Sequence, residues 1–70
     1  PRMRPSFRKT AEYISWHKRV DYGMVCEALE FLLSKGYLYR ENVMDEDNTE
    51  VQYKYLCANW NLLRADGYIS

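Results

Sequence analysis

Apolar positions recur every three to four residues from Met24 to Leu33 and every second residue beyond Gly36, so the pattern switches from helix to strand at that glycine. Met24, Val25, Ala28, Leu29, Leu32 and Leu33 predict a helix with one buried face, which Phe31 widens. Asp21 suits the N-cap, where its carboxylate accepts from first-turn amides. Gly36 suits the left-handed stop, and Lys35 the negative helix end. The predicted helix spans Asp21–Lys35, with Glu27, Glu30 and Ser34 toward solvent. Gly23 costs about 1 kcal/mol against alanine in such a helix. It implies either close approach of the preceding helix or a start one or two residues later.

After Gly36, Tyr37–Val43 and Val51–Cys57 read as two strands of a hairpin around the polar segment Met44–Glu50. Tyr37, Tyr39, Glu41 and Val43 alternate with Leu38, Arg40 and Asn42, while Val51, Tyr53 and Tyr55 alternate with Gln52, Lys54 and Leu56. Period two demands one inward face but leaves open which row provides it.

Upstream, Ser6 as cap with Phe7, Ala11 and Ile14 at helical spacing predicts a first helix over Ser6–Trp16, showing Arg8, Lys9 and Glu12 to solvent. Tyr13 and Trp16 are expected to close over the second helix at the edge of the core; base stacking or partner contact is the alternative. A connector of about four residues, with His17 on it, lets the second helix fold back. Trp60, Leu62 and Leu63 before Asp66-Gly67 predict a short helix over Asn59–Ala65, with Tyr68 and Ile69 returning to the core; a third strand competes. The expected fold is α+β: two N-terminal helices on a two-stranded antiparallel hairpin, with a short C-terminal helix. It occupies 6–70 as a single domain after a basic extended arm, 1–5, in which Pro5 disfavours helix at Arg4.

Seventy residues is near the lower limit for a single unstapled core, and 47% apolar with 16% aromatic residues is the composition of a folded chain. Net charge is zero, yet its layout is lopsided. Residues 1–20 carry six basic side chains against Glu12 alone, a net +5, and residues 21–70 a net −5. The molecule is an electrical dipole.

Catalytic chemistry finds little support. The chain has one histidine, no spaced nucleophile–base pair and no glycine-rich phosphate loop, so an enzyme is not expected. No metal or other cofactor is expected: Cys26 and Cys57 read as reduced thiols, no CxxC pair exists, and the acidic stretch after Met44 lacks the glycine and distal glutamate of a calcium loop. No signal peptide and no membrane span are evident, which points to a cytoplasmic or nuclear setting.

The run LLSKGYLYRE, a polar tip and the return VQYKYL resemble the second half of a winged-helix domain. The resemblance covers residues 21–57. It implies that Asp21–Lys35 takes the recognition-helix position and Met44–Glu50 the wing tip. One departure is plain: a single helix precedes the recognition helix, where most winged helices have two. The resemblance also implies DNA binding and transcription regulation. The acidic wing would meet phosphates with like charge, so nucleic acid is expected on the N-terminal side, at Arg2, Arg4, Arg8, Lys9, Lys18 and Arg19. The alternative is a protein-interaction module, an inhibitor or a complex subunit, using Trp16, Tyr22, Glu27, Glu30, Asp45, Glu46 and Asp47. Self-association is also open through a hairpin edge that Arg40 and Lys54 only partly protect.

Overall fold

The computed structural model describes residues 4–44 and 51–70. In chain order these form α1 (Phe7–Lys18), α2 (Tyr22–Ser34), β1 (Leu38–Met44), β2 (Val51–Ala58) and α3 (Trp60–Ala65), a small α+β domain. Both expected N-terminal helices, the hairpin and the short last helix are present.

Ser6 caps α1, its hydroxyl accepting from the Lys9 amide at 3.2 Å. The helix runs two residues past the expected Trp16 stop, because His17 and Lys18 suit its negative end and Arg19 then turns left-handed at φ 56°. Ser15 locks this corner: its hydroxyl donates to the Val20 carbonyl at 2.7 Å, and its own carbonyl accepts from the Val20 amide at 3.3 Å. The connector is therefore shorter than expected.

Asp21 caps α2 by accepting from the Met24 amide at 3.2 Å. A Cβ on Gly23 would lie 3.1 Å from that same carboxylate, so this glycine leaves room for the cap rather than for α1. The helix runs from Tyr22 to Ser34, and two residues on Gly36 turns the chain at φ 83°, a conformation only glycine adopts cheaply.

The strands pair antiparallel, with Leu38 opposite Ala58, Arg40 opposite Leu56 and Val43 opposite Tyr53. Leu38 and Leu56 pack against the helices. That settles which row faces inward: Tyr39, Tyr53 and Tyr55 lie on the outer face of the hairpin. Arg4 and Pro5 lie along the outer edge of β2, where the Pro5 carbonyl accepts from the Leu56 amide at 3.0 Å. Pro5 thus meets that edge at Leu56.

Asn59 fastens α3. Its side-chain oxygen accepts from the Leu62 amide at 3.2 Å, and its amide donates to the Gly36 carbonyl at 3.0 Å. Tyr68 is not returned to the core as expected; it stays exposed, its ring edge-on to Tyr37 at 5.2 Å.

The core is small. Among the described residues, Ala11, Val25 and Leu29 are buried, with Phe7, Ile14, Cys26, Leu38 and Leu56 packed around them. Two sequence expectations are corrected here. Met24, Ala28 and Phe31, assigned to the buried face of the second helix, are exposed, because α2 turns Val25 and Leu29 inward. Tyr13 and Trp16 do not close over α2 but stand in solvent. Cys26 and Cys57 are free and half-buried.

Candidate nucleic-acid interface

Lys9, Glu12, Tyr13 and Trp16 fall at i, i+3, i+4 and i+7 along α1, so they share the side turned away from Phe7, Ala11 and Ile14. Tyr13 is 64% exposed and Trp16 81%. The Tyr13 ring rests on His17 with centroids 4.1 Å apart and planes tilted by 39°. Two large flat surfaces are thus offered to solvent on one helix face.

Cations bracket these rings. At the start of α1, Arg8 Nε lies 3.8 Å and Lys9 Nζ 3.7 Å from the two Glu12 carboxylate oxygens. Both pairs are exposed, and such pairs contribute only a few tenths of a kcal/mol, so neither cation is committed. One carboxylate also cannot neutralise two cations. Lys18 and Arg19 stand at the other end of the helix, ten residues on, or roughly 15 Å along the axis at 1.5 Å per residue. Arg19 is held in place by the Ser15 corner.

Between the end of α1 and the start of α2 lies an open cleft of about 720 Å³, lined by Glu12, Ser15, Trp16, His17, Arg19 and Tyr22. The Tyr22 hydroxyl is raised above the ordinary phenol range, chiefly by hydrogen bonding to the Cys26 thiol, with Glu12 adding and Arg8 opposing.

Of the basic residues singled out in the sequence, the structure gathers Arg8 and Lys9 at one end of α1 and Lys18 and Arg19 at the other. Arg4 stands apart on the hairpin. Its guanidinium lies 5.4 Å from the Tyr55 ring centroid, and its carbonyl accepts from the Tyr53 hydroxyl at 2.8 Å. Arg2 lies outside the described residues. Of the alternative partner-binding set, Trp16 and Tyr22 meet in the cleft, while Glu27 and Glu30 are exposed on α2. Asp45, Glu46 and Asp47 lie outside the described residues.

Sequence reasoning set His17 aside as a connector residue. Its i, i+4 spacing from Tyr13 was the available signal that the two rings meet once α1 extends to Lys18. Among the described residues, no group of three His, Cys, Asp or Glu is placed to hold a metal ion, and no helix is long and apolar enough to cross a membrane. Comparison with protein-family models, with curated proteins and with solved structures gives no match.

Proposed function

We propose that this chain is a small non-enzymatic module that binds nucleic acid, DNA first among candidates, through the solvent face of α1. The observation that carries the reading is that Lys9, Tyr13 and Trp16 share the exposed face of α1, with Arg8 beside them at its start and Lys18 and Arg19 at its C-terminal end. Lysine and arginine supply attraction to phosphates regardless of sequence, and exposed rings supply a stacking surface for bases. The two cation pairs stand at opposite ends of α1, roughly 15 Å apart along the helix axis.

The winged-helix resemblance would give the groove to α2 instead. The outward side of α2 carries Met24, Ala28 and Phe31 beside Glu27 and Glu30, a surface that repels phosphates. We therefore assign the contact to α1 and, by the resemblance, a regulatory role to the module. Replacing Arg8, Lys9, Lys18 and Arg19 together by alanine is expected to abolish binding to a labelled duplex while the circular dichroism spectrum stays unchanged. Full binding by that variant would refute the assignment.

A second reading, a protein-interaction module, is favoured by one observation: the apolar stripe that α2 leaves in solvent.

A further inference from the structure

Helix α2 is apolar on two opposite sides. Val25 and Leu29 face the core, while Met24, Ala28 and Phe31, at i, i+4 and i+7, face away from it. Met24 is 62% exposed and Phe31 56%. A row of exposed apolar side chains on one helix face is a surface that another element or a partner usually covers. Among the described residues, none covers this stripe.

We propose that the cover is a second copy of this chain, with the two α2 helices packed antiparallel across a two-fold axis near Ala28. This deepens the protein-interaction reading by naming its partner, and it does not depend on α1 binding nucleic acid. Glu27 and Glu30 flank the stripe and argue against a polyanion on it. The charges at its ends are opposite: Asp21 stands at the N-terminal end, and Lys35, with Nζ 5.6 Å from the Phe31 ring centroid, at the C-terminal end. An antiparallel pair brings the Asp21 end of each copy to the Lys35 end of the other and sets Met24 against Phe31. A parallel pair would place Lys35 on Lys35 and Phe31 on Phe31. The end charges thus favour the antiparallel over the parallel direction, both of which a two-fold axis allows. Ala28 at the midpoint is small enough for the helices to approach closely. The β2 edge is met at Leu56 by the Pro5 carbonyl. None of Arg8, Lys9, Lys18 and Arg19 belongs to the stripe.

The test is sedimentation equilibrium of the full chain without nucleic acid, over about 5 to 500 µM, a span in which mass action moves a weak dimer from monomer to pair. The expected mass rises from 8.4 kDa toward twice that value. Phe31→Glu should hold the chain monomeric throughout. Should that variant not fold, Lys35→Glu, at an exposed position, should weaken dimerisation about fivefold or more with the fold intact. Under mild oxidation Ala28→Cys should form an interchain disulfide and Met24→Cys should not. A constant monomer mass overturns the proposal. Cross-linking through Met24→Cys but not Ala28→Cys overturns its antiparallel geometry. Because no nucleic acid is present, a negative result here leaves the α1 assignment untouched.

Discussion

The Tyr37 hydroxyl donates to the Asp66 carboxylate, joining the turn that follows α2 to the end of α3 across 29 positions of sequence. The bond favours the neutral phenol, and Tyr37 is pushed up to about 12, first by that hydrogen bond. A pKa raised on folding gives stability that is complete below the unfolded value, about 10, and lost as pH rises through the folded value. Alkaline unfolding should therefore steepen between about pH 10 and 12. In Tyr37→Phe that contribution should vanish, and the difference between its tyrosinate absorbance titration and that of the parent should place Tyr37 as the last to ionise.

Asn59 performs two tasks, capping α3 and holding the Gly36 carbonyl. Asn59→Ala should lower stability by about 1–2 kcal/mol, the range for a lost cap. For a domain of this size that is a fall in melting temperature of roughly 4–8 °C per kcal/mol. Asn59→Asp keeps the cap oxygen and loses the donor to Gly36, so it should fall between the two in thermal melts.

With so few buried side chains, each matters. Leu29→Ala should cost about 2–4 kcal/mol in lost burial and residual cavity. Small domains seldom hold more than about 5 kcal/mol in total, so this variant should keep at most about 1–3 kcal/mol and melt at a much lower temperature by circular dichroism.

Arg19 separates stability from binding. It is a left-handed, non-glycine residue at φ 56°, a conformation that costs an ordinary residue about 1 kcal/mol. Arg19→Gly relieves that cost and removes one cation of the α1 face. The expected outcome is a melting temperature that does not fall, together with weaker binding to a duplex. A loss of both would mean that Arg19 matters only to the corner.

The elements were legible where the sequence carried local signals. Ser6 and Asp21 cap as their types suggest, Gly36 takes the left-handed turn, and the period change after it marks β1. Direction was harder to read. α2 has apolar residues on two sides, so periodicity could not say whether Val25 and Leu29 or Met24 and Phe31 meet the core; packing against α1 and the hairpin decides it. Tyr13 and Trp16 read as core-edge residues because large rings usually find cover, yet among the described residues no element covers them. The α1 cations were visible as a charge run. That Arg4 would leave them for Tyr55 was not, since it depends on the Pro5 carbonyl meeting an amide of β2.

Salt dependence of binding to a mixed-sequence DNA duplex probes the α1 face most directly. If Arg8, Lys9, Lys18 and Arg19 each meet a phosphate, the logarithm of affinity should fall with the logarithm of salt at a slope of about −3 to −4 between roughly 50 and 200 mM. That slope should drop by about one for each cation removed. Absence of binding at the lowest salt, where phosphate attraction is strongest, would contradict the nucleic-acid role.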